Sequence, residues 1–117
     1  NLDAARRRLM DILCNYAGYR KCVSILVFDA YRVKGAGREQ ETWHNLHVIY
    51  TREAETADMF IERATHELAK NHRVRVVSSD GAEQIIILGN GALRVSARAF
   101  EREVRAVEAE IREFLDQ

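Results

Sequence analysis

Residues 23–29 read Val-Ser-Ile-Leu-Val-Phe-Asp (VSILVFD), and five of the seven are apolar. The apolar residues fall on both sides of a strand pleat, the pattern of a parallel strand covered by helices on both faces. The segment is therefore expected at the centre of a sheet. Asp29 ends it, at the carboxyl edge of an open α/β sheet, where diverging loops leave a crevice for ligands. Residues 74–80, VRVVSSD, repeat the arrangement about fifty residues later and end in Asp80. Glu55 and Asp58 lie between the two at a predicted helix start. Carboxylates from separate segments are thus expected to converge on one point.

Composition sets the frame. The 117 residues are 47% hydrophobic and 31% charged, the profile of a folded domain, and the length suits one core rather than two. Lys plus Arg (18) equals Asp plus Glu (18), so no global basic field attracts nucleic acid, and any such binding rests on a local patch. No apolar run approaches the roughly 20 residues needed to span a bilayer and no signal peptide is visible, which gives an intracellular, cytoplasmic expectation. Cys14 and Cys22 lack a metal-site spacing and read as thiols rather than a disulfide.

Around the central stretch the periodicities alternate between helix and strand. Leu2, Ala5, Leu9, Ile12, Leu13 and Tyr16 mark an amphipathic helix from Asn1 to about Ala17, with Gly18 as its stop and Arg6, Arg7 and Arg8 on the other face. Residues 30–45 read as a polar loop broken by Gly35 and Gly37. It carries Arg32, Lys34 and Arg38 with the rings of Tyr31 and Trp43, a set equally compatible with RNA contact and with a solvated loop. Leu46–Tyr50 is a short strand, on which His44 and His47 have the wrong spacing to share a metal. Ala57, Phe60, Ile61, Ala64 and Leu68 form a helical stripe beginning near Thr56. Glu55 and Asp58 at its start are either site residues or a complement to the helix dipole.

Residues 81–88, GAEQIIIL, are ambiguous, since three isoleucines favour a strand and Ala-Glu-Gln a helix. Leu93–Val95 is compatible with a last short strand. Ser96 is a good N-cap for a final helix with a stripe of Phe100, Val104, Val107, Ile111 and Leu115.

Gathered carboxylates raise one another's pKa, a cost that a divalent cation offsets. Mg²⁺ and Mn²⁺ take oxygen ligands, retain waters and bridge carboxylates to phosphates, so an acidic strand edge points to phosphodiester hydrolysis. A Walker loop, an HExxH motif and a nucleophile elbow are all missing. So are the DxDxT of a haloacid-type phosphatase and the signature of a receiver domain.

Four segments carry a more specific signal: VFDAYRVKG at 27–35, ETAD at 55–58, SSDGAEQ at 78–84 and GNGALRVSAR at 89–98. In order and spacing the chain resembles the YacP-like NYN domains, a branch of the PIN-like nuclease superfamily. The resemblance implies a three-layer α/β/α fold with a mainly parallel sheet and a metal-dependent endoribonuclease that cleaves messenger RNA within the ribosome. It implies Asp29, Asp58 and Asp80 as catalytic residues holding Mg²⁺ or Mn²⁺, with Glu55 as a further ligand. It also favours a helix for GAEQIIIL and makes Arg94 and Arg98 candidates for RNA contact or for holding the carboxylates. The family opens with a central strand ending in a DGYN-like motif, which these residues do not include. Open strand edges near 23–29 and 74–79 are therefore expected, with weak or no activity of this stretch alone and homo-oligomerisation through those edges. The variant is similar to copies fused behind a ribosomal-protection GTPase of the tetracycline-resistance type. The competing reading is a non-catalytic RNA- or ribosome-binding module that docks through Arg32, Lys34, Arg38 and Arg52.

Overall fold

The computed structural model describes residues 2–29, 40–52, 55–78, 83–88 and 94–117, with the side chains at 2, 3, 78, 83 and 84 left aside. Its elements, in chain order, are α1 (Leu2–Arg20), β1 (Val23–Phe28), β2 (Gln40–Trp43), β3 (Leu46–Tyr50), α2 (Ala57–Leu68), β4 (Val74–Ser78), β5 (Glu83–Leu88), β6 (Arg94–Ser96) and α3 (Ala97–Leu115). The strands form one sheet in the order β2-β3-β1-β5-β4-β6. β1 is parallel to β3, and β4 to β6, while β5 is antiparallel to both of its neighbours and β2 to β3. Four of the six strands therefore run one way, and the sheet is mostly but not purely parallel.

Helices cover both faces, as the unbroken apolar run of β1 requires. Leu26 and Phe28 point to one side and pack with Leu13, Tyr16, Phe100, Val104 and Val107 of α1 and α3. Val27 points to the other and packs with Ala57 and Ile61 of α2. The α3 stripe is buried at Phe100, Val104 and Val107 and half-buried at Ile111, but Leu115 is 72% exposed, so the expected stripe ends one turn early.

Four local expectations are corrected. The GAEQIIIL segment contributes a strand, not a helix, over residues 83–88. On a helix, Ile85, Ile86 and Ile87 would spread over most of the circumference. On a strand they alternate, and here Ile85 and Ile87 enter the α1/α3 core while Ile86 enters the α2 core.

β5 also lies between β1 and β4, so of the edges expected to be open at 23–29 and 74–79 the strand residues 23–28 and 74–78 are paired. Self-association has no open edge to act through there. The outer strands are β2 and β6, four and three residues long.

Finally, α1 runs through Gly18 to Arg20. The stop is Lys21, at φ 55°, with the Cys22 N–H donating to the Ala17 carbonyl at 3.0 Å. This is the Schellman closure with a lysine where glycine is usual. The end of the expected 30–45 loop is likewise β2, turned into β3 through His44 at φ 51°. Residues 30–39 lie outside the described residues.

Candidate active site

The register places the carboxyl ends of β1 and β4 at one edge of the sheet. Leu26 and Val77 both pair with Ile85, so the two strands run level, separated by the width of β5, about 10 Å. β3 reaches the same edge, and beyond its last residue the Thr51 N–H donates to the Phe28 carbonyl at 3.0 Å. That bond extends the β1–β3 ladder to the residue before Asp29. Asp29 is half-buried there.

Aromatic packing stiffens this corner. The Phe28 and Tyr50 rings stack at 5.5 Å between centroids and 16° between planes. The Arg6 guanidinium of α1 lies 6.0 Å from the Phe28 centroid and 5.7 Å from that of Tyr50, within cation–π range. Arg6 belongs to the arginine run that sequence alone places on a solvated face, yet it is half-buried against the strand ends.

α2 begins at the same edge. The Glu55 N–H donates to the Arg52 carbonyl at 2.9 Å, and the Thr56 side chain caps the helix by accepting from the Met59 N–H at 3.1 Å. Ala57 packs in the same cluster as Val27, two residues before Asp29. Asp58, next in the chain, stands exposed in the first turn, where a carboxylate also complements the helix dipole. Two of the expected acids thus sit on neighbouring elements at one sheet edge.

Glu55 has a different environment. Its carboxylate is ion-paired with Arg63, two turns along α2, and the Arg63 guanidinium also lies 5.4 Å from the Phe60 centroid. A cleft of about 560 Å³ opens between this face of α2 and the end of β3, lined by Gln40, Tyr50, Arg52, Glu55, Phe60 and Arg63 among others. Arg63 carries no sequence signal that separates it from the other charged residues of an amphipathic helix.

Of the other expected site residues, Asp80, Arg32, Lys34 and Arg38 lie outside the described residues. Arg94 opens β6 and Arg98 is in the first turn of α3, both exposed. Ser96 pairs with Ser78, so α3 too begins at the carboxyl edge, but three strand spacings from β1, about 14 Å. Arg98 thus lies near that edge, whereas Arg94 starts β6 two residues before it, in register with Val76 of the α2 cluster. Among the described residues no three of His, Cys, Asp and Glu gather as a metal-holding group. Asp29 and Asp58 are both oxygen donors, which suits a hard cation that keeps several waters and needs only one or two carboxylates.

Comparison with known proteins agrees with this fold. The YacP-like NYN domain profile matches residues 1–117. The protein called uncharacterized protein YacP of Bacillus subtilis (strain 168) is 41% identical over 112 residues, covering 95% of this chain and 65% of the relative. The crystal structure of Rae1 (YacP) from Bacillus subtilis superposes with a TM-score of 0.75 at 34% identity, covering 97% of this chain and 65% of that one. The chain therefore spans just under two thirds of the length of the relatives it matches. With a profile match over all of its residues, the chain belongs to the YacP-like NYN domain family.

Proposed function

We propose that this domain is the catalytic core of a divalent-metal-dependent endoribonuclease that hydrolyses messenger RNA in association with the ribosome, in the cytoplasm. The observation that carries the reading is the meeting of β1 and the start of α2 at one sheet edge, with Asp29 and Asp58 on the two elements. Asp80, which follows the level strand β4, completes the proposed catalytic set. A bound Mg²⁺ or Mn²⁺ would supply a lowered pKa for attacking water and neutralise charge on the phosphate. The domain's own part is positional. The paired strand ends hold Asp29 and the capped first turn holds Asp58, with Arg94 and Arg98, exposed on β6 and at the start of α3, as the proposed contacts to a phosphate backbone. Family membership supports a nuclease-like, RNA-related domain. No described helix is long and apolar enough to cross a membrane.

The test is cleavage of a labelled single-stranded RNA by the full-length protein in Mn²⁺, with Asp29→Asn, Asp58→Asn and Asp80→Asn compared at equal folded concentration. Each substitution is expected to lower the rate at least a hundredfold and to leave RNA binding intact or slightly tighter, because a negative charge beside phosphate is removed. Three variants with wild-type rates would eliminate the catalytic assignment and leave a binding module.

A further inference from the structure

We infer that the cleft between α2 and the end of β3 is the track for the RNA backbone beside the cleaved bond, and that Glu55 is a positioning residue for Arg63 rather than a metal ligand. The inference deepens the proposed function and rests on it for the identity of the ligand as RNA. It stands on the Glu55–Arg63 ion pair and on what that pair does to the cleft.

Glu55 and Arg63 are eight residues apart, so their contact is not the neighbour pairing of a regular helix face at three or four residues. Arg63 must extend back along α2 toward its N-terminus, the direction in which helical side chains lean. It passes over the Phe60 ring on the way. The result is a guanidinium delivered to the end of α2 that faces the acidic edge.

Exposure of the two partners is unequal. The Glu55 side chain is 19% exposed and that of Arg63 66%. The carboxylate is the sheltered anchor and the cation the accessible partner. A guanidinium has five N–H donors, and those not aimed at Glu55 remain for the two non-bridging oxygens of a phosphodiester.

The rest of the cleft matches the same ligand. Arg52 lines it with Arg63, so among the described residues two cations face one carboxylate, Glu55. Met59, 55% exposed, and the half-buried Phe60 provide an apolar surface of the kind on which a base or ribose rests. A cleft built for metal would instead gather carboxylates away from arginine. In this one the acid is already spent on a cation.

The experiment has two arms, both on the full-length protein. In the first, binding of a fluorescein-labelled single-stranded RNA 12-mer is followed by anisotropy in EDTA, where no cleavage intervenes. Arg63→Gln is expected to weaken binding about tenfold and to reduce the slope of log K against log salt by about one. Arg105→Gln is the control: this exposed α3 residue is ion-paired with Glu101, and its loss is expected to leave binding unchanged. Wild-type affinity and slope in Arg63→Gln, or an equal loss in Arg105→Gln, would overturn the cleft.

In the second arm, Mn²⁺ affinity is read by electron paramagnetic resonance. Glu55→Gln is expected to stay within twofold of wild type, with RNA bound severalfold more weakly because Arg63 loses the carboxylate that holds it at the cleft. A tenfold or greater loss of Mn²⁺ affinity would make Glu55 a ligand and overturn its positioning role. Should the wild-type protein bind no Mn²⁺, the metal-dependent nuclease reading falls, while the first arm still decides the cleft.

Discussion

Phe28 and Tyr50 stack with their ring planes 16° apart and their centroids 5.5 Å apart, and Phe28 is the residue immediately before Asp29. The stack joins the ends of two parallel strands, with the Arg6 guanidinium against both rings. The position of Asp29 is thereby tied to aromatic packing on the α1 side of the sheet.

Substitution at Tyr50 should therefore act on stability and on activity to different extents. Tyr50 is 7% exposed, and Tyr50→Ala is expected to cost about 3–5 kcal/mol, the usual range for truncating a buried aromatic. Tyr50→Leu keeps most of the apolar volume and gives up the stack, worth about 0.5–1.5 kcal/mol. Urea denaturation of the two variants checks the difference. The leucine variant, still folded, is expected to lose more cleavage rate than its stability change accounts for, because the end of β1 loosens.

Gly18 gives a prediction of opposite sign. It lies within α1, exposed, and a Cβ built there meets nothing within 4 Å. Gly18→Ala removes backbone freedom from the unfolded chain without a clash, and is expected to stabilise by about 0.5–1 kcal/mol. Thermal denaturation would show a rise of a few degrees. A fall would mean that α1 needs flexibility at that turn.

The architecture was legible in the sequence where physics acts on a long pattern, and illegible where one residue settles the matter. VSILVFD announced a strand covered on both sides, and the stripes from Ala57 to Leu68 and from Phe100 to Leu115 announced their helices, although Leu115 itself is exposed. Gly18 misled, because the left-handed residue that ends α1 is Lys21, which has a Cβ and normally avoids that conformation. β2 was hidden for the same reason: its hairpin turns at His44, without the Asn-Gly signature that such turns favour. GAEQIIIL was undecidable locally, since its identity as a strand depends on the slot between β1 and β4 that only the assembled sheet defines. The positions of Asp29 just after β1 and Asp58 in the first turn of α2 were legible from the sequence pattern. Arg6 and Arg63 were not, because their roles come from tertiary contacts with Tyr50 and Glu55.

A polar contact beneath α1 and α3 makes stability pH-dependent on the alkaline side. Arg75 of β4 pairs with Glu103 of α3 at 2.7 Å, with side chains 16% and 26% exposed. The Tyr16 hydroxyl is a further hydrogen-bond partner of Arg75. Burial raises the Tyr16 pKa above its ordinary 10.0, and the nearby Glu103 charge adds to the rise. A group whose pKa is raised by folding gives its full stabilisation below the unfolded value and loses it as pH climbs through the folded one. Stability should thus hold on this account to about pH 10 and fall above it. Tyr16→Phe is expected to cost about 1 kcal/mol at pH 8, through the lost hydrogen bond, with a smaller deficit by pH 11. Denaturant midpoints at the two pH values provide the check. Arg75→Met, which strands Glu103, should cost more than the double replacement Arg75→Met/Glu103→Leu.

Acids distant in the chain are expected to share one divalent ion at the carboxyl edge of the sheet. A crystal structure of the full-length protein grown with Mn²⁺, read by anomalous scattering, tests it most directly. The account predicts an ion about 2.1 Å from carboxylate oxygens of Asp29 and Asp58, with Asp80 bound to it directly or through a water and Glu55 still turned to Arg63. An ion held elsewhere, or Asp29 and Asp58 facing separate surroundings with no ion between them, would contradict it.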